Sequence, residues 1–388
     1  MRPLLMMVSL ALLLAACNRL PTPKAPEFQA GDSTVVPMQL LHTGDIGGLP
    51  LVPVQMGGQQ TWWVVDTGSS HNLVSPRLVQ ALKLGTVASS EVATIGGKRE
   101  TPYYRLPDMR IGDVVLEKQS AAGLDLSLVS ANDTVQVDGI LGVRALNHLV
   151  VTLDFRHHQA RFAQHIYAHT PHSVIPFRLA GGVPVASLPV LAGRQGDFIL
   201  DTGNSGGLVI LPTYAQRPQP RPGSAFIEVE DLGGRMPTQL ARLPFLQLGD
   251  WQAQHVPVSL PMRSHGFSGL AGSIGNAMFS GQTVTFDFPN RHLLISAPNG
   301  ASTLPGGFGF MLAAGNRVEV VLPDSSAAGN GVQVGDHIVA VDGNNTVNSS
   351  SHTIWRLLDG KDVAHITLLR GGAPYTVMLG RGHFLPGL

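Results

Sequence analysis

The sequence predicts a mostly β protein, and three observations lead there. Forty-five glycines and 28 prolines among 388 residues supply turns at a density that suits many short strands. Helical periodicity is scarce, with one short helix expected around Ser351 to Leu358, where Ile354, Leu357 and Leu358 share a face. The third observation is a β unit written twice along the chain. Its first copy contains Trp62-Trp63-Val64-Val65-Asp66-Thr67-Gly68-Ser69-Ser70, and its second Phe198-Ile199-Leu200-Asp201-Thr202-Gly203-Asn204-Ser205. In each, β-forming apolar residues carry an aspartate into a Thr-Gly turn, which sets a carboxylate at the end of a buried strand.

A chain of 388 residues exceeds what one core usually supports, so two or three domains are expected. Formal net charge is zero and 13% of residues are charged, which argues against nucleic acid as a partner, because that role needs a basic footprint.

The N-terminus reads as an address. Arg2 precedes the apolar run Leu4 to Leu14, too short for a permanent membrane span, and small residues follow it. Leu14-Ala15-Ala16-Cys17 resembles a bacterial lipobox, which implies cleavage before Cys17 and a lipid on its sulfur. Asn18 next to it resembles the pattern sent to the outer membrane. The resemblance implies a lipid-anchored protein of the bacterial envelope, held by Cys17 and facing the periplasm. Cys17 is the only cysteine, so the chain forms no internal disulfide. Residues 18–44, with Pro21, Pro23 and Pro26 and no sustained periodicity, are expected to form a flexible tether.

Beyond residue 44 the repeat fixes the organisation. Ile95-Gly96-Gly97-Lys98, Arg105-Leu106-Pro107 and Ile111-Gly112-Asp113 return, 137 positions later, as Leu232-Gly233-Gly234-Arg235, Arg242-Leu243-Pro244 and Leu248-Gly249-Asp250. Ile140-Leu141-Gly142 and the strand Val151 to Phe155 return 133 positions later as Ser273-Ile274-Gly275 and Val284 to Phe288. A nearly constant offset is what changes in loop length alone would leave. The expected divisions are 1–17, 18–44, one lobe over 45–170, its copy over 171–300, and a different unit over 301–388. Five histidines, His157, His158, His165, His169 and His172, cluster between the two copies without repeatable spacing, and read as surface residues rather than a metal site.

The chemistry follows from the pairing. Two related lobes packed about a pseudo-twofold axis would bring Asp66 and Asp201 together. Carboxylates that close cannot both ionise cheaply, so they share a proton and titrate as a unit. The ionised member can take a proton from water while the protonated member polarises a peptide carbonyl, with no metal or cofactor required. Thr67 and Thr202 are placed to bond across the axis, and Gly68 and Gly203 leave room for backbone N–H groups at the carboxylates. Gly96-Gly97 and Gly233-Gly234 sit about 30 residues past each aspartate, where glycine-tipped hairpins could arch over a cleft.

On these motifs residues 45 to 298 resemble the pepsin and retropepsin superfamily of aspartic proteases. Each lobe is short, closer to a retropepsin subunit than to a pepsin lobe. The resemblance implies a two-lobed β-barrel fold, catalysis by Asp66 and Asp201, support from Thr67, Gly68, Ser69, Thr202, Gly203 and Asn204, and protein or peptide substrates. Asn204 departs from the usual Ser or Thr and is expected to alter a hydrogen bond near Asp201; Tyr103 and Tyr104 are the candidates for a flap tyrosine. Residues 301–388 resemble a PDZ domain. Gly307, Phe308, Gly309 and Phe310 match its carboxylate-binding loop and Val334-Gly335-Asp336 its signature turn, which implies a peptide ligand. The apolar end Phe384 to Leu388 is a candidate to fill that groove in cis. The expected function is a lipid-anchored aspartic endopeptidase whose PDZ domain captures substrates; the alternative is an inactive homologue acting as a peptide-binding envelope adaptor.

Overall fold

The computed structural model describes residues 4–5, 13–14, 20, 22–44, 47–94, 97–130, 135–167, 171–215, 225–231, 234–263, 269–296, 301–313 and 315–388. Strands dominate these residues, as the turn density predicts, and they form two similar sheets, a sheet shared between them, and a separate C-terminal unit.

The two lobes share one strand order. In the first lobe Thr86–Thr94, Gly97–Arg105, Ser120–Gly123, Asn72–Val74, Gly139–Leu141, Gln59–Val65 and Leu49–Met56 lie side by side. In the second, Ala225–Asp231, Gly234–Leu248, Trp251–Pro261, Leu208–Ile210, Gly272–Ile274, Gln195–Leu200 and Val183–Pro189 repeat that order. Gly139–Leu141 runs parallel to Gln59–Val65 and antiparallel to Asn72–Val74. It therefore passes between the two strands that the Asp66 turn connects. Gly272–Ile274 does the same beside Asp201.

A six-stranded antiparallel sheet joins the lobes, in the order Ser173–Pro176, His292–Ser296, Thr283–Asp287, Val150–Asp154, Gln159–Ala163, Ser33–Pro37. Its central pair sets Thr152 opposite Thr285, repeat mates whose hydroxyls hydrogen-bond at 2.8 Å, so the pseudo-twofold axis passes between them. Apolar side chains of both lobes meet in one core that includes Trp63, Leu141, Phe162, Phe198, Trp251 and Phe286.

The tether expectation fails for residues 22–44. Ser33–Pro37 forms an edge of the joining sheet against Gln159–Ala163, Gln39–Leu41 pairs with Leu49–Met56, and Glu27–Phe28 pairs with Val114–Leu116. Thr34, Val36, Met38 and Leu41 are buried, and that apolar burial holds the segment down. Within residues 1–17 the short strands Leu4–Leu5 and Leu13–Leu14 are described, against Glu228–Val229 and Val92–Ala93; Cys17 lies outside the described residues.

The C-terminal unit packs Phe308, Phe310, Ile338, Ile354, Trp355, Leu358 and Ile366 under the antiparallel strands His337–Val341, Val363–Arg370 and Ala373–Gly380. The helix Ser351–Leu358 lies where the apolar spacing predicts, and its start is capped by Ser350, whose Oγ accepts from the Thr353 N–H at 3.3 Å. Asp336 is buried and takes hydrogen bonds from Arg370 and Tyr375. Burial opposes its ionisation, yet these bonds hold its carboxyl down at about 2.

Candidate active site

Each catalytic-type loop begins where a buried strand ends. The Asp66 N–H donates to Leu141 O at 3.0 Å and the Asp201 N–H to Ile274 O at 2.9 Å, so the strand threaded beneath each loop fixes its aspartate. Inside the first turn, the Gly68 and Ser69 N–H groups donate to Asp66 Oδ1 at 2.8 and 3.0 Å. In the second, the Gly203 N–H donates to Asp201 Oδ1 at 2.9 Å. One oxygen of each carboxylate is thereby fixed by backbone.

The loops lock to one another. The Thr67 N–H donates to Thr202 Oγ1 at 2.9 Å and the Thr202 N–H to Thr67 Oγ1 at 3.0 Å. The two hydroxyls then donate onward, Thr67 to Leu200 O at 2.6 Å and Thr202 to Val65 O at 2.7 Å. Four hydrogen bonds related by the pseudo-twofold axis thus hold the aspartates across from each other. The glycines make the close approach possible. A Cβ on Gly203 would lie 2.3 Å from Asp66 Cγ, and one on Gly68 would lie 2.2 Å from Asp201 Oδ1.

Both aspartates are fully buried, and the Oδ2 atom of each has no hydrogen-bond partner from the rest of the protein. Burial raises the Asp66 carboxyl well above its ordinary value, and the neighbouring Asp201 charge raises it further. Burial likewise raises Asp201, against the backbone hydrogen bonds that favour its charge. A carboxyl pair so placed holds a proton where isolated aspartates have lost theirs.

Asn204 does not act as expected. Its Nδ2 donates to Ser273 Oγ at 3.2 Å and its Oδ1 accepts from the Gly206 N–H at 2.9 Å, so the side chain turns away from Asp201. Ser69, its repeat mate, also bonds elsewhere, donating to His71 O at 2.7 Å. The carboxylates take backbone N–H groups at this position, and the side chains bond elsewhere.

Gly97 and Gly234 open the second strands of two long hairpins, opposite Thr94 and Asp231; Gly96 and Gly233 lie outside the described residues. Tyr103 and Tyr104 sit at the base of the first hairpin rather than near its tip. Tyr103 is buried with its ring edge-on to His71 at 5.9 Å, and Tyr104 fills the space beside Gly123.

Two amides that brace the site were not singled out in the sequence. Asn72 Oδ1 accepts from the Gly142 N–H at 3.0 Å. Asn276 Nδ2 donates to Thr202 O and, at 3.0 Å, to Gly48 O. A signal for Asn276 existed, since it stands where the first copy has the apolar Val143. His71, also unremarked, is driven down to about 4, by burial first and then by the Arg144 charge.

In the C-terminal unit the Gly307 N–H donates to Gly382 O at 2.9 Å, Phe308 is buried, and Gly309 has a φ of 91°, a conformation that glycine adopts without strain. Phe310 stacks on Trp355 of the helix at 5.3 Å. At the chain end Phe384 lies against the glycine loop, with a ring carbon 3.3 Å from where a Cβ on Gly309 would stand, and it lines one pocket with Phe310 and Trp355. Phe384 and Leu385 pack with Met311, Val320 and Leu322 against Ile227 and Leu240 of the second lobe. Beyond them the Arg242 N–H donates to Pro386 O at 2.8 Å and the Leu388 N–H to Arg242 O at 3.0 Å. The tail is a clamp between the two units.

No curated protein matches the chain. Residues 52–145, which hold Asp66 and the strand beneath it, match the aspartyl protease family, and residues 301–369 match the PDZ domain family. The second lobe repeats the strand order of the first. The chain thus carries an aspartyl protease domain of retropepsin type and a C-terminal PDZ domain, a peptide-binding module.

Proposed function

We propose that the protein is an aspartic endopeptidase acting on proteins or peptides of the bacterial envelope. The observation that carries this reading is the facing of Asp66 and Asp201 across the reciprocal Thr67 and Thr202 bonds, with the Oδ2 atom of each carboxyl bonded to no group outside the pair. In the proposed reaction the ionised aspartate takes a proton from water as its oxygen attacks the scissile carbonyl carbon. The protonated aspartate gives its proton to the carbonyl oxygen, and the tetrahedral species collapses with the C–N bond breaking and a proton passing to the amine. The shared proton is what the raised carboxyls supply. The hairpins Thr86–Thr94 with Gly97–Arg105 and Ala225–Asp231 with Gly234–Leu248 are the proposed flaps, able to hold a substrate by backbone pairing.

The PDZ domain, through Gly307 to Phe310, is proposed to take the carboxyl end of a peptide. Leu14-Ala15-Ala16-Cys17 supports a lipid anchor on Cys17 and an outer-membrane position facing the periplasm. Digestion of a diverse peptide library by residues 18–388 between pH 3 and pH 8 tests the enzymatic reading. Endoproteolytic cuts are expected; a library left whole at every pH would favour the adaptor.

A further inference from the structure

The two copies differ at one turn. In the second lobe Gly181 and Gly182 alone join Arg178–Ala180 to Val183–Pro189, and Gly182 presses on the first catalytic-type loop, where a Cβ would lie 2.9 Å from Ser70 Cβ. The pseudo-twofold mate of this turn joins Gln39–Leu41 to Leu49–Met56 and presses Gly47 on the second loop, where a Cβ would lie 2.1 Å from Ser205 O. That mate spans residues 42–48, of which Asp45 and Ile46 lie outside the described residues. Three residues of this longer turn, His42, Thr43 and Gly48, form hydrogen bonds to the rest of the protein.

At one end these contacts reach the Asp201 loop. Thr43 Oγ1 donates to Ser205 Oγ at 2.6 Å, and Gly48 O accepts from the Asn276 amide that also bonds Thr202 O. At the other end they reach the PDZ domain. The His42 N–H donates to His352 Nδ1 at 3.0 Å, and the two rings stack 5.9 Å apart. His352 lies in the first turn of Ser351–Leu358, the helix whose Trp355 stacks on Phe310. Thr43, Ser205, Phe310 and Trp355 line one pocket of about 130 Å³ between the two units.

We propose that His42, Thr43 and Gly48 form a positioning strap, clamped at His42 by the PDZ residue His352, that holds the second catalytic loop in register for hydrolysis. The proposal rests on the enzymatic reading above. Its physical basis is that a loop presenting a reacting carboxylate must be held to within a fraction of an ångström, and hydrogen bonds from a neighbouring segment supply that restraint. The first loop has the short glycine turn beside it, packed on Ser70. The second has a side-chain hydroxyl, a carbonyl and, through them, a whole domain. His352 and Thr43 are therefore positioning residues rather than catalytic ones, and the PDZ domain is part of the scaffold of the active site.

The test compares Thr43→Ala, Thr43→Ser and His352→Ala with the wild type by amide hydrogen exchange at residues 202–207, with residues 67–72 of the mate loop as internal reference. Exchange at 202–207 is expected to rise about fivefold or more in both alanine variants, while Thr43→Ser, which keeps the hydroxyl, restores protection and 67–72 stay unchanged. In a peptidase assay kcat is expected to fall between about 10- and 100-fold in the alanine variants at unchanged KM. Unaltered exchange at 202–207, or an equal rise at both loops, would overturn the strap. A wild type that cuts no peptide would overturn the enzymatic reading instead, and the exchange measurement would still decide the strap.

Discussion

At the scale of single residues, the site is two carboxyls that burial has made reluctant to ionise. That reluctance has a stability consequence with a definite sign. A carboxyl whose folded value lies above its unfolded one binds more protons in the native state, so its contribution is fully present at acid pH, below the unfolded value of about 3.9. It is lost as pH rises from there through the raised folded values of Asp66 and Asp201. Replacing Asp201 by Asn removes one buried charge. Asp201→Asn should therefore melt at a higher temperature than the wild type at neutral pH, with the difference shrinking toward pH 4, by calorimetry. The pairing of these aspartates was legible because the repeat, rather than the three-residue motif, located the second one. The role of Asn204 was not legible. Asn204, which departs from the family pattern, and Ser273, which stands where the first copy has the apolar Ile140, bond each other at 3.2 Å. Each residue looks anomalous alone, and the partnership exists only once Gly272–Ile274 lies beneath the loop.

At the scale of elements, the joining sheet decides whether the lobes meet squarely. Thr152 and Thr285 bond on the pseudo-twofold axis, both in strands flanked by fully buried side chains such as Val151, Leu153, Val284 and Phe286. Thr285→Val keeps the shape and removes the bond, leaving Thr152 with an unmatched hydroxyl. It is expected to destabilise the protein by about 1 kcal/mol in denaturant titration, with the midpoint moving and the slope unchanged. Strand alternation and the Asp-Phe endings of both copies made these strands readable in advance. The helix Pro76–Ala81 was missed. Its signals were present, since Ser75 caps it through Leu78 N–H at 3.2 Å and Pro76 opens it, but six residues are too few for a helical period to stand out. Ser33–Pro37 was likewise hidden, because a five-residue edge strand shows its value only against its partner Gln159–Ala163.

At the scale of the whole molecule, the PDZ domain is docked rather than hung. Ala301–Thr303 adds in parallel to Gln252–Gln254 of the second lobe, His42 meets His352, and the tail runs back onto Arg242. The sequence could mark the domain by its glycine loop and Val334-Gly335-Asp336 turn. It could not show the docking, which depends on residues some 300 positions apart such as His42 and His352. Removing residues 384–388 strips Phe384 and Leu385 from the cluster with Ile227 and Leu240. That truncation should cost about 2 kcal/mol of stability and separate the unfolding of the two units into distinct transitions in calorimetry.

The dyad itself is tested most directly by one comparison. Wild-type protein, Asp66→Asn and Asp201→Asn are given the same peptide library at the pH of greatest wild-type cutting, with circular dichroism to show that all three are folded. Cuts by the wild type and none by either variant are the predicted result. Cutting retained in either folded variant would contradict a reaction run by a pair of aspartates.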